Sequence, residues 1–139
     1  MKKYIFIGIG GFFGAISRYF IKNIHLYNYG GAVPVNTLII NVTGSFVLGL
    51  LLTLFFEIWE TDDAVRLGIT TGFLGTYTTF STLCKDTVGL MSNGDYYSAI
   101  SYITMSAVLG LIAVFLGIVI AWEVIAKIVK GKPDSDAAE

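Results

Sequence analysis

The stretch of sequence that decides the fold reads Gly72-Phe73-Leu74-Gly75-Thr76-Tyr77-Thr78-Thr79-Phe80-Ser81-Thr82. It lies within residues 67–84, which contain no Lys, Arg, Asp or Glu and are therefore apolar enough to cross a membrane. Glycine, β-branched threonine and aromatic residues all weaken a helix. We therefore expect a membrane-crossing helix that is interrupted near its middle.

An interruption at this depth has consequences for the backbone. Carbonyl and N–H groups that leave a helix inside a membrane must be satisfied by protein, an ion or water. Freed carbonyl oxygens are suitable ligands for a hard cation such as Na⁺. The alternative is a kink in which threonine hydroxyls bond back to the helix. Spacing alone leaves both interpretations open.

Outside this stretch, three more segments are free of charged residues: 4–17, 24–56 and 96–122. With 55% hydrophobic and 14% charged residues, the chain is too apolar for a soluble domain. A bilayer core of about 30 Å needs roughly 20 apolar helical residues. We therefore predict an all-α membrane protein with four transmembrane helices, near residues 4–23, 35–59, 67–91 and 96–127.

The domain prediction follows from these spans. A four-helix transmembrane domain covers residues 1–129, and a polar tail over 130–139 lacks apolar residues to bury and is expected to be disordered. The opening Met1-Lys2-Lys3 also fits a signal peptide, but no A-x-A-like cleavage site follows it. An even number of spans places both termini on one side, which the Lys and Arg distribution favours as the inside.

Several classes of function are disfavoured. The net charge is −1 and the lysines are scattered, so the basic stripe of a nucleic-acid-binding protein is missing. Asp62 and Asp63 read as solvated loop charges and Glu123 lies near the end of the fourth span, so general acid–base catalysis has poor candidates and we predict no enzyme. The single Cys84 cannot form an internal disulfide and is expected to be a buried, inert thiol.

Two predicted spans carry polar side chains at every fourth position, which places them on one helix face. The stripes are Thr37, Asn41 and Ser45 in the second span and Ser98, Tyr102 and Ser106 in the fourth. Two striped helices suggest a lined path through the membrane. For Asn41, an interhelical hydrogen bond is the competing interpretation.

The spacing of small residues and the position of one arginine each allow two interpretations. Gly10 and Gly14, like Gly68 and Gly72, are four residues apart, a spacing that lets helix backbones touch either a second copy or another helix of the same subunit. Arg18 lies near the end of the first span. It either extends to the membrane surface or raises the local anion concentration at a pore mouth.

Three motifs in order along the chain resemble those of the Fluc (CrcB) fluoride channels of microbes. They are GGFFGAISRY at 10–19, NTLIINVTGSF at 36–46 and GFLGTYTTFS at 72–81. The resemblance implies a fluoride-selective channel that exports F⁻ passively across the cell membrane. It also implies an antiparallel, dual-topology homodimer in the lipid bilayer, with two pores and a structural Na⁺ at its centre.

The resemblance also implies roles for individual residues. Gly75 and Thr78 hold the Na⁺ through their backbone carbonyls, and Arg18 lies in the vestibule. The fluoride pore is formed by Asn41, Phe80, Ser81, Thr82, Leu83, Tyr102 and Ser106. Phe80 would face the anion with the positive edge of its ring.

The chain departs from the family pattern at Leu83, where relatives commonly have a second pore phenylalanine. Slower conduction, a rearranged ion path, or a subunit that pairs with a paralogue would each account for leucine there. Asp86, where relatives often have Glu, either gates access or caps the helix surface. A small dual-topology multidrug-type cation exporter is the main alternative function, but it needs a membrane-buried carboxylate.

Overall fold

The computed structural model describes residues 1–23, 33–57 and 61–130, and all regular structure within them is helical. The predicted all-α class is thereby confirmed. The elements are α1 (Lys2–Asn23), α2 (Val35–Glu57), α3 (Asp63–Leu67), a π-helical segment (Gly68–Leu74), α4 (Gly75–Tyr77), α5 (Phe80–Ser92) and α6 (Tyr96–Lys130). Most of the predicted polar tail, residues 131–139, lies outside the described residues.

Within the described ranges, three helices are long and apolar enough to cross a membrane. They are α1, α2 and the portion Tyr96–Ile125 of α6. The third predicted span, 67–91, coincides with the shorter elements from α3 to α5, and its status as a membrane crossing stays a prediction. The predicted end of the second span, at 58–59, falls outside the described residues.

Helices α2 and α6 pack against each other through glycines. A Cβ atom on Gly49 would lie 2.6 Å from the Val114 carbonyl oxygen, and one on Gly117 would overlap the Phe46 carbonyl. Only a hydrogen fits at either position, so the two backbones approach closely. Beside this contact, Leu54 forms a buried apolar cluster with α6.

Helix α1 packs in the same way against the π-helical segment. A Cβ on Gly10 would overlap the Gly68 carbonyl oxygen, and one on Gly14 would overlap the Phe73 carbonyl. Gly72 packs against the α1 backbone, where a Cβ would lie 2.6 Å from the Ile7 carbonyl oxygen. The paired glycines therefore serve contacts within one subunit, which was one of the two alternatives left open by their spacing.

Polar contacts hold the start of α1 to α3. The Asp63 carboxylate accepts from Lys3 Nζ at 3.0 Å and from an Arg66 guanidinium nitrogen at 2.8 Å. The pKa of Asp63 is lowered, most by its hydrogen bond with Lys3, then by the charge of Lys3 and then by the charge of Arg66. All three side chains are at least partly exposed, so these ion pairs add little stability. They connect the start of α1 with α3, just before the third predicted span.

Candidate functional site

The helix is interrupted at Thr78 and Thr79, where both residues adopt extended backbone angles (φ −71°, ψ 156° and φ −150°, ψ 111°). Before the break, the hydroxyls of Thr76 and Thr78 bond back to the carbonyls of Gly72 and Leu74 at 2.8 and 2.9 Å. After it, α5 begins with Thr79 as its N-cap. The Thr79 hydroxyl accepts from the Thr82 N–H at 3.2 Å.

Asn41 of α2 satisfies the backbone at the break. Its Nδ2 donates to the Thr79 carbonyl at 3.1 Å, and its Oδ1 accepts from the Thr79 N–H at 2.8 Å. One amide side chain therefore pairs with both polar backbone groups of Thr79, which is only 7% exposed. Without Asn41 these groups would be buried and unsatisfied, at a cost of about 1–3 kcal/mol each.

The same hydrogen bonds release two carbonyls. In a continuous α-helix the Thr79 and Thr82 N–H groups would donate to the carbonyls of Gly75 and Thr78. Instead they donate to Asn41 Oδ1 and Thr79 Oγ1. The carbonyls of Gly75 and Thr78 thus lose their helical donors, and both residues line one cavity. Oxygen donors of this kind suit a hard cation.

Two cavities meet at Thr79. The break cavity has a volume of about 290 Å³ and is lined by Asn41, Gly44, Ser45, Leu48, Thr70, Leu74, Gly75, Thr78, Thr79 and Phe80. The vestibule cavity has a volume of about 360 Å³ and is lined by Ala15, Arg18, Tyr19, Lys22, Thr37, Ile40, Thr79, Ser81 and Thr82. Thr79 lines both, so the residue held by Asn41 stands between them.

Asp86 of α5 accepts hydrogen bonds from two neighbouring helices. Thr37 of α2 donates to Oδ2 at 2.9 Å, and the buried Tyr102 of α6 donates to the same oxygen at 3.4 Å. Leu83 packs against the buried cluster that contains Tyr102 and Leu90. Tyr102 and Leu83 therefore belong to a packed core beside Asp86, and the tyrosine presents its hydroxyl to a carboxylate.

Ser106 lies one helical turn beyond Tyr102 on α6. Its hydroxyl oxygen is buried and has no hydrogen-bond partner within the described part of the chain. Buried hydroxyls are normally paired, so this one is available to a ligand or to a group outside the described residues.

Comparison with known proteins places these residues in a family. The profile described as "CrcB-like protein, Camphor Resistance (CrcB)" matches residues 5–118. The chain belongs to the CrcB family. Several CrcB relatives are named fluoride-specific ion channel FluC. One, from Dehalococcoides mccartyi (strain BAV1), is 39% identical over 84% of this chain and 90% of its own length.

Two further relatives extend the comparison. A fluoride-specific ion channel FluC from Sulfurihydrogenibium sp. is 39% identical over 87% of this chain and 98% of its own length. The fluoride-specific ion channel FluC 1 of Staphylococcus aureus is 37% identical over 84% and 93%. Membership of the CrcB family and three helices of membrane-spanning length make this chain a multi-pass membrane protein.

The structure of this CrcB chain distributes the predicted site residues over three places. Asn41, Gly75, Thr78 and Phe80 line the break cavity. Arg18, Ser81 and Thr82 line the vestibule cavity. Leu83, Tyr102 and Ser106 lie beyond them along α5 and α6, and neither cavity includes them.

Sequence reasoning did not include Thr79 and Lys22 among the site residues, and its expectation that Cys84 is buried is wrong. The Thr79-Phe80-Ser81-Thr82 run is typical of a helix N-terminus and was the available signal for Thr79. Lys22 lies four residues after Arg18 and hence on the same helix face. That spacing could have predicted that both residues line the vestibule cavity. Cys84 is exposed, because it lies on a face of α5 that no other described element covers.

Proposed function

We propose that this chain is a fluoride-selective ion channel that passively exports F⁻ across the cell membrane. The observation that carries the proposal is its likeness, over 90–98% of their lengths, to relatives named fluoride-specific ion channels. The function is that of a channel and not of an enzyme, since movement down an electrochemical gradient requires no catalysed reaction. The fluoride ion is the transported partner.

The chemistry of the site suits a small, strongly hydrated anion. Moving a bare ion into a low-dielectric interior costs on the order of 20 kcal/mol, so a path must replace its water with hydrogen-bond donors. In our proposal, Arg18 attracts the ion, and Ser81 and Thr82 receive it in the vestibule cavity. Asn41 and the edge of the Phe80 ring, then Tyr102 and Ser106, form the pore. Leu83 packs beside this path.

The proposed architecture has four membrane crossings, a broken third helix and an antiparallel, dual-topology dimer. Exposed groups of the single subunit support it. Phe80 is 77% exposed, and Gly75 is also exposed beside the break. The hydroxyls of Thr43 and Tyr77 bond to each other at 2.9 Å on the outer surface of the subunit. Polar groups facing lipid are costly, and a second copy of the chain would cover them.

At the centre of this dimer we place a structural Na⁺ held by the carbonyls of Gly75 and Thr78. The support is that the N–H groups which would pair with these carbonyls in a continuous helix donate instead to Asn41 Oδ1 and Thr79 Oγ1. A bound Na⁺ would neutralise carbonyl dipoles that the break leaves inside the membrane. Asn41 and the Thr79 hydroxyl would keep these carbonyls free for the ion.

The proposed function is tested by fluoride efflux. The purified chain is reconstituted in liposomes loaded with potassium fluoride, a potassium ionophore is added, and a fluoride electrode follows the release. We expect rapid fluoride release and no comparable chloride release. Absence of flux from correctly folded protein would contradict the homodimeric channel, and equal chloride flux would contradict selectivity.

Ser106→Ala separates a pore role from a structural one. The Ser106 hydroxyl makes no hydrogen bond to the described residues, so its removal should leave the free energy of unfolding in detergent within about 0.5 kcal/mol of the parent. If the hydroxyl donates to the anion, fluoride efflux should fall about tenfold, the equivalent of one hydrogen bond. Thr104→Val is the control because Thr104 bonds only to the Ile100 carbonyl of its own helix. Unchanged efflux in Ser106→Ala would remove Ser106 from the pore.

A further inference from the structure

The vestibule cavity contains a second cation that the sequence motifs do not include. Arg18 and Lys22 both line this cavity, together with the hydroxyl-bearing side chains of Thr37, Ser81 and Thr82. Arg18 and Lys22 are four residues apart on α1 and therefore project from the same face. The described residues of the cavity lining include no carboxylate.

Neither cation forms an ion pair with another described residue. In the described ranges, salt bridges are formed by Asp63 with Lys3 and Arg66, and none involves Arg18 or Lys22. The following residues, 24–32, contain no Asp or Glu in their sequence. Asp86 accepts hydrogen bonds from the cavity-lining Thr37 and from Tyr102, but it does not itself line the cavity. Among the described residues, the two cations of the lining therefore outnumber the one carboxylate that is bonded to it.

Lys22 is held in place through its backbone. Asn36 Nδ2 donates to the Lys22 carbonyl at 3.1 Å, which pins the end of α1 to the start of α2. The next residue along α2, Thr37, lines the same cavity. Like charges four residues apart disfavour a helix, so two unpaired cations beside one cavity are a local conflict of the kind found at functional sites.

We propose that Lys22 and Arg18 together form an anion-collecting antechamber, which raises the local concentration of small inorganic anions before they reach Ser81 and Thr82. This inference rests on the proposed function only for the identity of the anion as fluoride. The competing explanation is that Lys22 merely complements the negative end of the α1 dipole, which would require no cavity.

The antechamber can be tested through the reactivity of a thiol at its wall, without a measurement of ion flux. Ser81→Cys in a Cys84→Ser background places one thiol at the cavity wall, and its reaction rates with an anionic and a cationic methanethiosulfonate reagent are measured. Lys22→Gln should lower the ratio of anionic to cationic rates about fivefold at low ionic strength, because the two reagents respond to the lost charge in opposite senses. The change should shrink towards onefold at about 0.5 M salt.

Two variants complete the experiment. Lys22→Arg keeps the charge and should keep the parental ratio. Lys2→Gln removes one charge from the exposed start of α1, about 30 Å along the helix from Lys22 and outside the cavity lining, and should change the ratio by less than about 1.5-fold. An unchanged ratio in Lys22→Gln, or an equal fall in Lys2→Gln, would overturn the antechamber.

Fluoride efflux distinguishes this inference from the proposed function. In a conducting protein, Lys22→Gln should reduce efflux about threefold at low ionic strength, with Lys2→Gln unchanged. A parent that shows no fluoride efflux but whose thiol ratio falls in Lys22→Gln would retain the antechamber and lose the fluoride channel. A parent that conducts fluoride while the ratio is insensitive to Lys22 would retain the channel and lose the antechamber.

Discussion

Gly10→Ala should destabilise the protein by at least about 3 kcal/mol, because the new methyl group meets backbone on both sides. It would overlap the Gly68 carbonyl oxygen and lie 3.0 Å from the Phe73 amide nitrogen. Backbone atoms of a packed helix cannot move aside as a flexible side chain can. Helix α1 must therefore separate from the π-helical segment. The measurement is unfolding in detergent followed by circular dichroism, with size-exclusion chromatography to detect loss of assembly.

Gly8→Ala is the matched control on the same helix. A Cβ on Gly8 has no neighbour within 4 Å, so this variant should be neutral or more stable by up to about 1 kcal/mol, the helix preference of alanine over glycine. Equal unfolding midpoints for the two variants would contradict the close contact between α1 and the π-helical segment. Fluoride efflux should follow the same order, since α1 carries Arg18 and Lys22 to the vestibule cavity.

The sequence predicted where the backbone would be unusual but not how it would be satisfied. Glycine and threonine between Gly72 and Thr82 pointed to a weak helix, and the chain is extended at Thr78 and Thr79 within that stretch. The partner that satisfies Thr79 is Asn41, 38 residues earlier. Its position on a polar stripe allowed both a pore ligand and an interhelical hydrogen bond. Only the packing of α2 against the break shows that the hydrogen bond forms.

Other features depend on neighbours that no local pattern specifies. The four-residue glycine spacing predicted close helix contacts, but it did not say that Gly10 would meet Gly68 of the same subunit. The π-helical turn over Gly68–Leu74 had no sequence signal that we used. Leu83 was predicted as a pore residue that departs from the family pattern, and the structure shows that it also packs against the cluster that contains Tyr102. Its effect on conduction stays a prediction.

Asn41→Asp should abolish most fluoride efflux at neutral pH. The carboxylate can still accept from the Thr79 N–H, but its second oxygen would face the Thr79 carbonyl, to which Asn41 Nδ2 now donates at 3.1 Å. One hydrogen bond becomes a repulsion, which costs about 2 kcal/mol of stability. A negative charge beside the anion path would also lower efflux at least about a hundredfold, given one charge roughly 5 Å from the ion at an effective dielectric constant of about 20.

Asn41→Ala and a pH series separate these two effects. Asn41→Ala loses both hydrogen bonds without adding charge, so its stability should fall by a similar amount while its efflux exceeds that of Asn41→Asp. A protonated aspartic acid has the donor and acceptor arrangement of asparagine, so Asn41→Asp should recover efflux as the pH falls through the pKa of its carboxyl group. Protein-free liposomes correct for leakage of hydrogen fluoride. If folded Asn41→Asp conducts like the parent at neutral pH, Asn41 supports the break without lining the path, and the pore must be placed on the vestibule side of Thr79.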